Sequence, residues 1–149
     1  MARAMQVVAD GTQWMIRLAE GDDLHTRLGE AAAAHRIHAG AVVLGIGQLK
    51  SGSVGFWNGR EYAPKEFRSP MELLALGGSI AVADGRPSIH LHATLSGPDH
   101  SVIGGHLVLG TVGLLAEILV AGFPNRTFGR PMVESLGLRV LDLEPPPNP

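Results

Sequence analysis

Residues 84–106 read DGRPSIHLHATLSGPDHSVIGGH. Ser88–Leu95 and Val102–Leu109 have strand composition, and the polar SGPDHS between them is turn chemistry. The stretch is therefore predicted as a β-hairpin, and its reading decides the fold. It also holds four of the seven histidines of the chain. Residues two apart on a strand share a face, with Cα atoms about 6.6 Å apart. His90 and His92 thus point one way, and Leu91, Ala93 and Leu95 the other. A hairpin centred on Asp99 sets His92 directly opposite His106, with Cα atoms about 4.5–5.5 Å apart, and His90 diagonal to it. A slip of one residue would instead pair His106 with Leu91 and turn its ring away. Spacing alone leaves both registers open.

In the first register three imidazoles converge. Three neutral imidazoles with one open position suit zinc or another late divalent metal, and an open position supports Lewis-acid or hydrolytic chemistry. The competing reading is three half-exposed strand histidines with ordinary hydrogen bonds. Gly104 and Gly105 would admit a close backbone or ligand. Glu72 and Glu117 are the candidate catalytic or supporting carboxylates, although spacing does not place them near the histidines.

Outward from the hairpin, Gln6–Val8 and Gln13–Leu18 read as short strands around Asp10-Gly11. The period then changes. Leu24, Leu28, Ala31, Ala32 and His35 follow helical spacing, Asp22 fits the N-cap with acidic residues in the first turn, and His38 and Gly40 suit the C-terminus. AVVLGIGQL is a buried strand that SGSVGFW continues or pairs with. Glu61–Phe67 is a weaker strand interrupted by Pro64, and MELLALGGSIAVADG is a strand ending in an Asp84-Gly85 turn. Gly110 and Gly113 separate a further strand, Leu114–Val120, from the hairpin. GFPNRTFGRP is a loop, and Val133–Leu141 a last strand. Many strands with one principal helix give an α+β domain with a mainly antiparallel sheet. One domain over residues 1–141 and a proline-rich tail over 142–149 are expected.

The 149 residues are 45% hydrophobic and 17% charged, with a formal net charge of −2 and no cysteine. That composition supports a packed core and removes disulfides and thiolate chemistry. The charge lacks the footprint of a nucleic-acid binder. Leu107–Phe123 is short, carries Glu117 and contains two glycines, unlike a spanning helix. The start of the chain has no apolar signal-peptide core, so a cytoplasmic location without membrane contact is expected.

Gly45-Ile46-Gly47 lacks the third glycine and following helix of a dinucleotide loop. Gly85-Arg86-Pro87 and Gly129-Arg130-Pro131 lack the preceding arginine of a minor-groove hook, with Asp84 and Phe128 in its place. Arg126 and Arg130 belong to a polar loop read as solvated, the alternative being an anion site. Trp14, Phe56 and Trp57 read as core or interface residues.

The run SPMELLALGGSIAVADGRPSIHLHATLSGPDHSVIGGHLVLGTVGLLAEILV resembles the PPC domain, the plants-and-prokaryotes conserved domain that also follows the DNA-binding hooks of plant AT-hook nuclear proteins. The resemblance extends from about Gln13 to Leu141 and is carried by Glu72-Leu73-Leu74, His90-Leu91-His92-Ala93 and Gly104-Gly105-His106-Leu107. It implies an α+β, mostly antiparallel fold, a homotrimer, and a metal on His90, His92 and His106. It also implies a binding or assembly module, regulatory in character and described by family as DNA-binding. Where plant relatives carry a GRFEIL-like contact motif, residues 69–74 read SPMELL, without its arginine and phenylalanine. The alternative function is a metal-dependent hydrolase or lyase acting on a small polar substrate.

Overall fold

The structure, a computed structural model, describes residues 4–146. The elements in chain order are β1 (Gln6–Asp10), β2 (Gln13–Ala19), α1 (Leu24–Ala34), β3 (Gly40–Trp57), β4 (Tyr62–Phe67), β5 (Met71–Ala83), β6 (Arg86–Ser96), β7 (Val102–Gly122), β8 (Met132–Val133) and β9 (Leu138–Arg139). The main sheet is antiparallel throughout, in the order β1-β2-β7-β6-β5-β3-β4. β3 also pairs with β7, so β7, β6, β5 and β3 form a closed circuit. The α+β class expected from the sequence is the observed one.

One strand takes the longer of two expected forms, and one is longer than the pattern suggests. SGSVGFW continues AVVLGIGQL as one eighteen-residue strand, and β7 runs unbroken through Gly110 and Gly113. Those glycines do not end the strand. A Cβ at Gly110 would press within 3.1 Å of Leu24 and 3.2 Å of Leu49, and one at Gly113 within 2.9 Å of the Gln48 side chain. They are places of close packing, where only hydrogen fits. β7 pairs first with β6 over Val102–His106 and then with β3 over His106–Gly122, through several register shifts that bend the pair.

The helix begins and ends elsewhere than expected. Asp23, not Asp22, is the N-cap, its Oδ1 accepting from the Thr26 amide at 2.8 Å. Asp22 is engaged otherwise, accepting from the Ala19 amide and from Arg27 Nε. The helix closes at Ala34, with His35 as C-cap. Arg36 is left-handed at φ 53°, the Arg36 amide donates to the Ala33 carbonyl, and the Ile37 amide donates to the Ala32 carbonyl at 2.8 Å. This is a Schellman closure without the usual glycine, sealed by the buried Ile37. His38 lies beyond the helix, and Gly40 opens β3 instead of closing α1.

The apolar stripe Leu24, Leu28, Ala31 and Ala32 packs α1 against β6 and β7. Leu91, Leu95 and Leu107 are fully buried beneath it, each contributing about 1.5–3 kcal/mol by removal from water. The expected strand Val133–Leu141 is instead a small hairpin of β8 and β9 about a turn with Gly137 at φ 64°. Before it, the chain folds back over β5. The Val82 amide donates to the Phe128 carbonyl, and the Arg130 amide to the Val82 carbonyl. Of the tail expected over 142–149, Asp142 exchanges backbone hydrogen bonds with Gly129, and residues 147–149 lie outside the described residues.

Candidate metal centre

The turn between β6 and β7 fixes the register of the histidines. Asp99 Oδ1 accepts from both the amide and the hydroxyl of Ser101, at 3.0 and 2.7 Å, and these bonds hold its carboxyl below the usual carboxylate range. The Gly97 amide donates to the Ser101 carbonyl, and His100 sits exposed at the tip with φ 64°. The hairpin is thereby centred on Asp99. His92 faces His106, Thr94 faces Gly104, and Ser96 faces Val102. The glycines before His106 serve backbone approach, since a Cβ at Gly105 would lie 2.6 Å from the Gly55 carbonyl oxygen and one at Gly104 2.8 Å from that of Ala93. On β5, a Cβ at Gly78 would overlap the His90 carbonyl oxygen.

His90, His92 and His106 come together. Each offers one ring nitrogen such that all three lie within 4.8 Å of one another. His90 Nε2 and His106 Nδ1 are 3.1 Å apart, a hydrogen bond whose direction depends on the tautomer. Three nitrogens bound tetrahedrally to zinc at about 2.0–2.1 Å are roughly 3.3 Å from one another, so small rotations of His92 would complete the set. The donors fit a borderline divalent metal. Entry of such an ion requires the shared proton to move to the opposite ring nitrogen. The rings are half-buried at His90 and His106 and exposed at His92, which leaves an approach from solvent.

Burial is the main cause that lowers the His90 imidazole to about 4, with His106, Arg130, His92 and His25 adding to it. The His106 imidazole is likewise lowered, by burial and then by His92 and His25. Both rings are therefore neutral near pH 7, the state a metal requires. His25, on the first turn of α1, is itself lowered, chiefly by burial.

Three neighbours of the histidines were not legible in the sequence. Tyr62 of β4 stacks on His106, with ring centroids 4.3 Å apart and planes 18° from parallel, and Trp57 meets Tyr62 edge-on. Ser79 lies opposite His90 on β5. Arg130, expected in a solvated loop, is only 7% exposed, and its Nη2 donates to Ser79 Oγ at 2.8 Å. Glu72 and Glu117 are elsewhere. Glu72 faces Ser96, beside the turn end of the hairpin, and accepts from Gln48. Glu117 faces Arg17 and Ile46, eleven residues along β7 from His106.

The profile of the Plants and Prokaryotes Conserved (PCC) domain matches residues 5–124. The chain belongs to this family. Among solved structures, the PCC fold here is similar to that of a metal-containing protein from Archaeoglobus fulgidus, with a TM-score of 0.80, 30% identity, and coverage of 93% of this chain and 97% of the other. It is also similar to a plant- and prokaryote-conserved protein from Pyrococcus horikoshii, with a TM-score of 0.79 and 28% identity over 91% of this chain and 94% of the other. A third similar structure, from Ralstonia eutropha, is named a “putative DNA-binding protein” (TM-score 0.83, 28% identity, 93% and 96% coverage). The chain is also 30% identical over 131 residues to the bifunctional protein GlmU of a Synechococcus strain, covering 87% of this chain. It spans about a fifth of the length of that curated relative.

Proposed function

We propose that this PCC protein is a metal-binding assembly module, a cytoplasmic homotrimer in which His90, His92 and His106 of each chain hold a divalent ion, zinc by the character of the donors. One coordination position is left for a small-molecule ligand. The observation that carries this reading is the convergence of three ring nitrogens within 4.8 Å, two of them on neutral, half-buried imidazoles. The metal-containing Archaeoglobus relative supports it. Self-association is supported by apolar side chains left in the open on β3 and β7, with Phe56 75% and Leu114 68% exposed. Among the described residues no helix is long and apolar enough to cross a membrane. A net charge of −2 supplies no cationic excess to neutralise duplex phosphates, so DNA contact is not the basis of this proposal.

The enzymatic alternative needs a carboxylate or similar base at the metal. The ionisable groups acting on His90 are instead His106, Arg130, His92 and His25, none of them a carboxylate. This favours ligand capture over hydrolysis. The test is metal analysis of protein purified without an affinity tag, with light scattering on the same sample. One divalent ion per chain and the mass of three chains are expected, with the ion lost in His92→Ala. Wild-type protein that neither carries nor takes up a divalent ion would remove the proposal.

A further inference from the structure

Arg130 is a buried cation without a counter-charge. The residue is 7% exposed, and no carboxylate lies within ion-pair distance of its guanidinium among the described residues. Nη2 is held by the Ser79 hydroxyl at 2.8 Å and, more weakly, by the Ser79 carbonyl at 3.4 Å. Nε is sealed from solvent without a partner, and Nη1 makes no hydrogen bond among the described residues. Of the five guanidinium donors, those on Nη2 are served by Ser79, the one on Nε has no partner, and Nη1 is not among the atoms sealed from solvent. A buried guanidinium left this way is costly, and chains seldom retain one unless something else neutralises it.

Its position says what that partner is near. Ser79 faces His90 directly across β5 and β6, so their side chains share a face, and the hydroxyl that grips Arg130 stands beside the His90 ring. The backbone holds the arginine there, through the Arg130 amide to Val82 and the Arg139 guanidinium to the Arg130 carbonyl. A depression of about 460 Å³ beside His92, lined by Ala75, Gly77, Thr94 and Gly104, leaves room at the His92 end of the cluster, although Arg130 does not line it. Arg130 is too deeply set to meet a duplex backbone, and only a small ion would reach it.

We propose that Arg130, presented by Ser79, is the recognition residue for a small oxyanion that binds against the His90–His92–His106 cluster and neutralises the guanidinium. The class is a carboxylate or a phosphate, both of which offer two oxygens to a guanidinium edge. The inference deepens the reading of the histidines as a metal centre, since such an anion would also fill the open coordination position, but the arginine contact stands without a metal.

The probes are acetate and inorganic phosphate, titrated separately into cobalt-loaded and metal-free protein. Binding is read from the visible cobalt bands in the first and from histidine-ring NMR shifts in the second. Saturable binding of at least one anion is expected, weakened tenfold or more in Arg130→Gln and less in Arg130→Lys and Ser79→Ala. Without added anion, Arg130→Gln should melt no lower than wild type, because it removes an uncompensated charge, and the anion should raise the melting temperature of wild type only. If cobalt is not taken up, the metal reading fails, and the NMR titration of metal-free protein decides the arginine claim alone. Equal anion affinity in wild type and Arg130→Gln, or no saturable binding of either anion, would overturn it. A preference between acetate and phosphate identifies which oxyanion the site is built for.

Discussion

Gly105→Ala tests whether strand packing places the proposed metal ligands. The added Cβ would sit 2.6 Å from the Gly55 carbonyl oxygen, and contacts of this kind are rarely closer than 3.0–3.4 Å. β3 and β7 must therefore part by roughly 0.4–0.8 Å at this point, the next residue being His106, paired to Gly55. Overpacking of this kind costs about 1–3 kcal/mol. Metal–ligand distances tolerate only about 0.2 Å, so the same displacement carries the His106 ring out of position. Disturbing the support of a ligand lowers metal affinity about 10–100-fold. Gly137→Ala is the control. Gly137 has φ 64° and nothing within 4 Å of an added Cβ, so alanine there costs about 1–2 kcal/mol of backbone strain without touching the histidines. Urea unfolding gives the stabilities, and competition with a chromophoric chelator gives the zinc affinities. Both variants should lose stability, and only Gly105→Ala should lose metal. Wild-type affinity in Gly105→Ala would refute the idea that the β3–β7 approach sets His106.

Acid should weaken the metal-free fold through His90. Its folded-state value of about 4 lies below the unfolded value near 6.5, so the unfolded chain binds the extra proton. The contribution is complete above pH 6.5 and is lost as pH falls toward 4; urea midpoints across this window should drop less in His90→Ala than in wild type. Asp23→Ala removes the N-cap bond to Thr26 and should cost about 0.5–2 kcal/mol by thermal unfolding, leaving zinc affinity unchanged. Leu91→Ala, one residue from two of the ligands but facing the core at 0% exposure, should cost about 2–5 kcal/mol in urea unfolding. Duplex DNA at low salt should show no shift on a gel, and a shift that weakens steeply with salt would restore a phosphate-contact role.

The histidine cluster was legible as one of two registers because the turn that chooses between them is local. A short turn and two strands of period two leave few registers, and the Asp99–Ser101 bonds select the one that joins His106 to His92. The continuity of β7 was not legible, because Gly110 and Gly113 have the same composition as strand breakers. Their role is visible only when Leu24, Leu49 and Gln48 are in place around them. The helix end was hidden for a related reason. Arg36 adopts the left-handed position that a sequence reading assigns to glycine, so His38 and Gly40 drew the boundary too far along the chain. Tyr62, Ser79 and Arg130 come from three other segments, and only the closed circuit of strands brings them to the hairpin.

The chemistry of these late arrivals bears on function more than the histidines do. Three neutral imidazoles would leave the full double charge of a divalent ion uncompensated, and Arg130 adds another positive charge on the same side. Zinc sites built for hydrolysis commonly place a carboxylate in or beside the ligand set, where it serves as ligand or base. Here the two candidate carboxylates face Ser96 and Arg17, away from the cluster. With a divalent ion on the three histidines, the proposed centre would carry three positive charges beside no carboxylate among the groups acting on His90, which favours capture of an anion. The same concentration of charge separates this site from a DNA-binding surface. Phosphates of a duplex are met by cations spread along an exposed face. In this chain the cation that matters is 93% removed from solvent and gripped by a serine that stands beside a histidine.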